Sequence, residues 1–386
     1  MPYSYISFLR CYYRYIIFFI LVSFIWNTNA ETTKYSSNST SFNGRLVKTL
    51  KNHTYAIWTT AILPNGNLVT GSWDNSINIW NITNNNSSLV SKLIGHSSYI
   101  MSLAVLSNDK LASSTRYSEL FIWNLKTNSI LYKLSTSLYS IMRLDVLPLN
   151  GNLVVGAYSN QIEIWNPTNG SLVFKLTNPK KTLKQWIYEG GFRSFALLGD
   201  NKILAIGSYN IDLWNPYNAT YIGSLNHTKQ IWSMITLSNN RLAVGAQDGQ
   251  ISIWNTKTMK LIYNLTSHNE CVIALTNNNN NNNNKSTDDW LASGSYDNTV
   301  KIWNLKNGSL VYTLRNHKNM ISSLITLENG LVVSGSYDWT ANVWDPKSGQ
   351  LVYTLNNHTS YVYDVRSLSN GFLATASKDG TVKIWK

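Results

Sequence analysis

The sequence predicts an all-β fold, a closed β-propeller of four-stranded antiparallel blades, and three features support this prediction. A ten-residue pattern, clearest at residues 294–303, recurs along the chain, and its copies end on Trp at intervals of 40 to 49 residues. Each interval holds several short apolar runs separated by turn residues, and no helical period is visible. A repeat of this length with several strands per unit is typical of propeller blades.

The number of repeated segments predicts the number of blades. The tryptophans that end the pattern are Trp80, Trp123, Trp165, Trp214, Trp254, Trp303, Trp344 and Trp385. A second apolar pattern, five residues that end in Leu and most often read Leu-Val-x-x-Leu, also has eight copies, and the first of them, at residues 46–50, precedes the first complete unit. We therefore predict eight blades, with seven as the alternative. The early segment is expected to pair into the last unit, which would close the ring and remove open sheet edges.

The N-terminal 30 residues differ from the rest of the chain. Arg10 and Arg14 precede an apolar run over residues 15–26, and Ala30 follows a short polar stretch. This order is typical of a secretory signal peptide. The run is shorter than the roughly 20 residues that a membrane-spanning helix needs. Residues 1–30 therefore predict a secreted or secretory-pathway protein, with an uncleaved membrane anchor and a cytoplasmic protein as the alternatives.

The remaining residues divide into a linker and one large domain. Residues 31–45 are rich in Ser, Thr and Asn and lack an apolar pattern, which predicts a flexible linker. The propeller is expected over residues 46–386, with an Asn-rich loop insertion at 277–289 that cannot bury apolar surface. The two cysteines, Cys11 and Cys271, cannot form a disulfide framework.

Over residues 46–386 the repeat resembles that of the WD-repeat β-propeller family. The family's unit has a His, then a Ser-x-Asp turn, and then a strand that ends in Trp-Asp; most units here end in Trp-Asn, and only Trp344-Asp345 keeps the dipeptide. The resemblance implies a buried hydrogen-bond network of His, Ser, Asp and Trp that rigidifies each blade. Four units carry the complete set: His53, Ser72, Asp74 and Trp80; His268, Ser295, Asp297 and Trp303; His317, Ser336, Asp338 and Trp344; His358, Ser377, Asp379 and Trp385.

The other units depart from this pattern. The set of His227, Asp248 and Trp254 lacks the Ser. The second and third units have Tyr117 and Ser159 where the Asp is expected, and the fourth has a shortened turn near Ser208. We expect these departures to affect the regularity of the blades and not the fold.

The sets also suggest two chemical functions that we reject. A Ser-His-Asp catalytic triad needs one exposed nucleophile and an oxyanion pocket, whereas these sets repeat four times and end on Trp. A metal site is not expected, because the six histidines occupy the same position in separate units and Cys271 has no neighbouring thiol. The sequence therefore predicts no catalytic residues, no metal and no cofactor.

The family resemblance implies a partner-binding face, formed by the turn between the second and third strands and by the segment that leads into the first strand. The residues expected there are mostly aromatic or Met, with two cations: Trp58, Trp73, Tyr99, Met101, Arg116, Met142, Tyr158, Trp232, Tyr296, Met320, Tyr337, Tyr361, Tyr363 and Lys378. Trp, Tyr, Met and Arg are enriched at protein interfaces, which favours a protein or peptide partner. The alternative is that these aromatics reflect only the composition of strands.

Charge bears on the other possible partners. The formal net charge is +13, but only 13% of residues are charged and the lysines are scattered along the outer strands, which disfavours a nucleic-acid partner. A secreted carbohydrate-binding propeller is the second hypothesis, because aromatic faces stack on sugars. Membrane contact is expected only through residues 1–30 if they remain uncleaved. We therefore predict a non-catalytic interaction scaffold that binds a protein or peptide partner.

Overall fold

The computed structural model describes residues 42–82, 87–157, 161–177, 194–198, 203–278, 290–369 and 371–386. In these ranges the chain forms 32 strands in eight four-stranded sheets and no α-helix. No helix that could span a membrane is found in the described part of the chain. The predicted signal peptide, most of the predicted linker and nearly all of the Asn-rich insertion lie outside the described residues.

The first four complete sheets follow one another along the chain, after a first strand β1 (Leu46–Lys51) that belongs to the last sheet. Blade 1 contains β2 (Ile57–Ile62), β3 (Leu68–Ser72), β4 (Ile77–Asn81) and β5 (Ser88–Leu93); blade 2 contains β6 (Ile100–Leu106), β7 (Lys110–Thr115), β8 (Leu120–Asn124) and β9 (Ser129–Leu134); blade 3 contains β10 (Ile141–Val146), β11 (Leu153–Ala157), β12 (Ile162–Asn166) and β13 (Ser171–Leu176); blade 4 contains β14 (Ser194–Leu198), β15 (Ile203–Gly207), β16 (Ile211–Asn215) and β17 (Thr220–Leu225).

The other four sheets have the same meandering order, and the last of them is completed by β1. Blade 5 contains β18 (Ile231–Leu237), β19 (Arg241–Ala246), β20 (Gln250–Asn255) and β21 (Lys260–Thr266); blade 6 contains β22 (Val272–Asn277), β23 (Trp290–Ser295), β24 (Val300–Asn304) and β25 (Leu310–Leu314); blade 7 contains β26 (Ile321–Thr326), β27 (Val332–Ser336), β28 (Ala341–Asp345) and β29 (Gln350–Leu355); blade 8 contains β30 (Val362–Ser367), β31 (Leu373–Ser377), β32 (Thr381–Trp385) and β1.

The eight sheets are arranged in a ring, so the prediction of an eight-bladed all-β propeller is confirmed and the seven-bladed alternative is wrong. The ring closes as the sequence predicts, because β1 pairs antiparallel with β32 and places Leu46 opposite Trp385 and Leu50 opposite Val382. The closing blade is also joined to blade 1 by Asp364, whose Oδ2 accepts hydrogen bonds from the backbone N–H and the hydroxyl of Thr60 at 3.0 and 2.6 Å.

A β-bulge near the start of most first strands prepares the candidate site. In blade 1 the pairing of β2 with β3 shifts between Ile57 and Thr59, so Trp58 has no partner in the ladder. The same shift leaves Met101, Trp232 and Tyr363 unpaired in blades 2, 5 and 8. A bulge re-aims the side chain of the extra residue and bends the strand. Large side chains from several blades can therefore meet at this end of the ring.

Candidate functional site

A hydrogen-bond network ties the strands of blade 1 together. The ring of His53 contacts the carboxylate of Asp74 through Nδ1 at 2.9 Å and the hydroxyl of Thr70 through Nε2 at 2.8 Å. The indole Nε1 of Trp80 donates to the same hydroxyl at 2.9 Å. Blades 6, 7 and 8 repeat this arrangement with the bridging hydroxyls of Ser293, Ser334 and Thr375.

The serine assigned to the network from the family resemblance has a different role. Ser72 donates its hydroxyl hydrogen to the carbonyl of Tyr55 and accepts from the backbone N–H of Asp74. Ser295, Ser336 and Ser377 hold the equivalent turns in the same way. Residues 70 and 72 share one face of β3 because side chains alternate along a strand. Only the residue farther from the turn bridges the His ring and the Trp.

The protonation states determine which group donates in each hydrogen bond of the network. Burial alone would raise the pKa of Asp297, but hydrogen bonds from His268, Thr299 and the backbone lower it to about 2. Burial lowers the pKa of His268 below its usual value. At neutral pH the neutral imidazole therefore donates Nδ1–H to a carboxylate and accepts the hydroxyl hydrogen at Nε2, while the Trp donates to the hydroxyl oxygen. The bridging hydroxyl of Ser293 is fully buried and does not face solvent.

Two blades without the expected Asp supply a carboxylate from another position. In blade 2 the ring of His96 contacts the carboxylate of Glu119 at 3.1 Å. Glu119 lies two residues after Tyr117, which occupies the position expected for the Asp. Burial lowers the pKa of His96 to about 4. In blade 3 the buried Glu163 takes the place of the bridging hydroxyl, because it accepts from Nε1 of Trp165 at 3.0 Å and from the hydroxyl of Ser137 at 2.7 Å. The longer Glu side chain reaches the network from a position that the family pattern does not use.

Blade 5 lacks the hydrogen-bond network expected from its repeat pattern. Nδ1 of His227 donates to the backbone carbonyl of Lys229 at 2.8 Å, and Asp248 faces Nζ of the same Lys at 3.5 Å. The set of His227, Asp248 and Trp254 expected from the repeat pattern is therefore replaced by a local contact.

The predicted partner-binding residues largely meet at one end of the ring. Trp58, Trp73, Met101, Trp232, Tyr296, Met320, Tyr337 and Tyr363 belong to one apolar cluster, and Tyr99, Met142 and Tyr361 pack against it. The cations lie beside it, because the backbone N–H of Arg116 donates to the carbonyl of Tyr99 and that of Lys378 to the carbonyl of Tyr361. Tyr158 lies outside the described residues.

Most of these side chains are less accessible than the sequence analysis expected. Trp58 is 1% exposed and Tyr363 is 2% exposed, because neighbouring blades bring their rings together. Among the predicted residues, Tyr99, Arg116, Met142 and Tyr361 are partly exposed and Lys378 is exposed. The buried members form the floor of the site, and the partly exposed members are the ones that a partner can reach.

Four exposed aromatic side chains near this face were missed by the sequence analysis. Tyr55 is 52% exposed, Tyr117 54%, Tyr139 63% and Trp339 50%. Tyr55 and Trp339 lie in the segments that lead into the first strand and turn into the third, but one or two residues from the positions considered. A comparison that included whole turns in place of single positions would have found them.

Seven of the rings form a continuous chain across blades 7, 8, 1 and 2. We call this set the aromatic arc: Tyr55, Trp58, Trp73, Tyr99, Tyr337, Tyr361 and Tyr363. Successive ring centroids are 4.5 Å apart for Tyr361 and Tyr337, 5.6 Å for Tyr337 and Tyr363, 4.9 Å for Tyr363 and Trp58, 5.5 Å for Trp58 and Trp73, and 5.2 Å for Trp73 and Tyr99. Each such pair contributes about 0.5–1.5 kcal/mol beyond simple burial. The arc is therefore a preformed cluster of rings, and Tyr55, Tyr99 and Tyr361 are its members that reach the surface.

The electrostatics of the arc are set by phenols and cations. Burial raises the pKa of Tyr363, and neighbouring phenols including Tyr361 add to the shift, so its hydroxyl stays protonated at physiological pH. Nζ of Lys378 lies 4.8 Å from the ring centroid of Tyr361, and the guanidinium of Arg116 lies 5.7 Å from that of Tyr117. In the described part of the chain, no group of three or more His, Cys, Asp or Glu side chains is placed to hold a metal ion.

The ring of blades and its repeated hydrogen-bond network place the chain among the β-propellers. The sequence profile described as WD domain, G-beta repeat matches residues 44–81, 219–255, 259–304, 308–345 and 349–386, just over half of the 386 residues. The chain therefore belongs to the WD40 family, whose members commonly act as non-catalytic scaffolds for protein partners. The unmatched stretch from residue 82 to 218 contains the blades in which Glu119 and Glu163 replace the usual residues.

Solved structures agree with this assignment. The computationally designed Ika8 protein is 26% identical, with a TM-score of 0.71 over 88% of this chain and 99% of its own. The WD40 β-propeller domain of Doa1 is 18% identical, with a TM-score of 0.58 over 90% of this chain and 98% of its own, and this likeness shows the fold alone. No curated protein sequence matches the chain.

Proposed function

We propose that this protein is a non-catalytic interaction scaffold that binds a peptide or protein partner on the face that carries the aromatic arc. The observation that supports this proposal is the continuity of the arc, which joins rings from four blades and leaves Tyr55, Tyr99 and Tyr361 accessible. Aromatic side chains of this kind supply much of the binding energy at protein interfaces. Because the rings are already packed together, little side-chain order has to be acquired on binding.

The chemistry of the described residues also favours binding over catalysis. The bridging hydroxyls and His rings of the complete networks are buried and hydrogen-bonded to each other. A nucleophile has to reach a substrate, and its base has to be free to accept the proton. The repeated groups therefore hold the blades together, and the exposed groups on the arc are aromatic rings and cations.

The proposal is tested by selecting ligands on the full chain and comparing variants of accessible arc residues. A displayed library of random twelve-residue peptides serves as the probe, and selected peptides are measured by fluorescence anisotropy. Tyr99→Ala and Tyr361→Ala are expected to weaken binding at least tenfold. The control is Leu149→Ala, which truncates a 61% exposed side chain in the loop between β10 and β11, at the opposite end of the blade.

The same variants distinguish the carbohydrate alternative. Retention of a glycan from an array, lost in Tyr99→Ala and Tyr361→Ala and kept in Leu149→Ala, would replace the scaffold with a lectin-like function. Trp73 and Trp232 are unsuitable for this test because both are buried in the cluster, so their truncation would also disturb packing. Peptide binding that is insensitive to both Tyr variants would contradict the use of the arc.

We also propose that the propeller acts in the secretory pathway or outside the cell. The support is the basic start and the apolar run in residues 1–30. N-terminal sequencing of the protein from a eukaryotic host is expected to find Glu31 as the first residue. An intact N-terminus would replace this proposal with an anchored or cytoplasmic scaffold, according to whether the protein sediments with membranes.

A further inference from the structure

The turn between β27 and β28 holds a tryptophan in a backbone conformation that tryptophan rarely adopts. Trp339 has a φ of 75°. The equivalent turn residues also have positive φ, but they are small or polar: Asn75, Ser118, Gly249, Asn298 and Gly380. Left-handed backbone suits Gly and Asn, and a bulky side chain there is strained. The fold would therefore be better served by Asn at position 339.

Packing within the chain covers only half of the Trp339 surface. Trp339 is 50% exposed, and no ring contact or hydrogen bond from its indole is found among the described residues. An exposed, strained residue of this size costs stability twice, through its backbone and through its apolar surface in water. Strained residues of this kind cluster at ligand-binding and switch regions.

The turn lies at the edge of the aromatic arc. Tyr337, two residues before Trp339, stacks on Tyr361 of blade 8 with ring centroids 4.5 Å apart. In blade 1 the residue at the same turn position, Asn75, donates to the carbonyl of Ser97 in the segment that leads into blade 2. The turn position therefore borders the following blade. Trp339 is thus placed at the boundary between blades 7 and 8, where Tyr361 and the arc begin.

The arc is bordered by two cations that no acid of the described residues neutralises. Arg116 and Lys378 have no carboxylate within salt-bridge distance in the same ranges. The turn acids of blades 1, 7 and 8 are already bonded to His53, His317 and His358: Asp74, Asp338 and Asp379. A ligand that complements Lys378 and Arg116 on this surface therefore carries negative charge.

We propose that Trp339 is the anchor of the partner site and that the partner is an extended acidic peptide, with a proline or aromatic residue that packs on the Trp339 indole. This inference rests on the scaffold function proposed above. Carboxylates of the peptide face Lys378 and Arg116, and its apolar residue contacts Trp339 and the ring of Tyr361. An acidic peptide fits better than a nucleic acid, because two cations beside the arc do not make a basic stripe.

The test uses a substitution that separates folding from binding. Trp339→Asn places at this turn the residue found in blades 1 and 6, and it is expected to raise Tm by about 1–3 °C. The same substitution is expected to weaken the binding of a selected acidic peptide at least tenfold. If Trp339 had only a structural role, Trp339→Asn would lower Tm instead. Trp339→Phe, which keeps both the strained turn and a ring, is expected to retain at least a third of the affinity.

Two further variants serve as controls. Asn298→Trp creates the same strained turn in blade 6, away from the arc, and is expected to lower Tm without strengthening peptide binding. Lys378→Glu reverses one charge of the arc and is expected to weaken acidic peptides at least fivefold at low ionic strength and less at high salt, because salt screens exposed charges.

The outcomes separate this inference from the proposed function. If the selected peptides fail to bind Tyr99→Ala and Tyr361→Ala but bind Trp339→Asn with full affinity, Trp339 is not the anchor and the proposed scaffold function stands. Selection of basic peptides, or binding strengthened by Lys378→Glu, would overturn the acidic partner. Failure to select any peptide, or preferential binding of single-stranded RNA used as a parallel probe, would overturn both proposals.

Discussion

Asp338→Ala is the substitution that tests the blade network most directly. The carboxylate of Asp338 accepts hydrogen bonds from Nδ1 of His317 at 2.8 Å, from the backbone N–H of Lys318 at 2.9 Å, and from the N–H and hydroxyl of Thr340 at 3.0 and 2.6 Å. The alanine variant loses all of these bonds. It also leaves the N–H at Nδ1 of the buried His317 ring with only the longer contact to the hydroxyl of Thr340, at 3.3 Å.

The expected loss is several kcal/mol. A hydrogen bond to a charged group contributes about 1.5–3 kcal/mol, and a buried donor left unpaired costs about 1–3 kcal/mol. Backbone donors at the turn can be hydrated after the substitution, so only the His317 contact and part of the Thr340 contacts count fully. We therefore expect Asp338→Ala to lower the free energy of unfolding by about 3–5 kcal/mol, which is the range seen when one partner of a buried pair is removed.

The matched control is Asp345→Ala in the same blade. Asp345 also holds a turn, and it accepts from the backbone N–H of Lys347 at 2.9 Å and from the hydroxyl of Ser348 at 2.7 Å. These contacts are exposed and lie outside the His network, so their loss is expected to cost less than about 1 kcal/mol. Urea unfolding followed by tryptophan fluorescence measures both variants, provided that the slope of the free energy against urea is unchanged.

The result that would refute the reasoning is equal destabilisation by the two substitutions. It would mean that the buried network contributes no more to blade 7 than an exposed turn does. A double substitution with His317→Ala gives an independent check. Because the two residues share one network, the combined loss is expected to be smaller than the sum of the single losses.

Two further predictions concern pH and ring closure. Burial lowers the pKa of His96 from its usual 6.5 to about 4. Between pH 6.5 and pH 4 the histidine therefore takes up a proton in the unfolded state but not in the folded state, and this favours unfolding. From this residue alone, the free energy of unfolding is expected to be about 3 kcal/mol lower at pH 4 than at pH 7. A flat urea midpoint between pH 7 and pH 4.5 would contradict this. Deletion of residues 42–51 exposes the edge of β32, so we expect a lower Tm and concentration-dependent association by light scattering, with reversal by the synthetic 42–51 peptide.

The fold was predictable because its signal is local and repeated. Each unit carries the same alternation of apolar strands and turn residues, and eight copies of each strand pattern leave an early segment that can only complete the last blade. The observed pairing of Leu46 with Trp385 follows from this count. Backbone groups at a sheet edge need partners, and this general requirement does not depend on side-chain detail.

The networks of the divergent blades were not predictable in the same way. A fixed pattern of positions finds Asp74 or Asp338, but it cannot find Glu119 or Glu163, whose longer side chains reach the same network from other positions. The bridging role of Thr70 was not predicted for a related reason. Thr70 and Ser72 lie on the same face of β3, and only their distance from the turn decides which hydroxyl reaches the ring of His53.

The sequence by itself determined which residues gather around the end of the ring, because their positions in the repeat fix the blade and the turn to which they belong. Only the tertiary structure decided which of them are accessible. The exposure of a ring depends on the neighbouring blade: Trp58 is covered by Tyr363 from blade 8, whereas Trp339 stays half exposed on a strained turn. Burial results from contacts between residues that are distant in the sequence, so it follows from the packed ring and not from any single repeat.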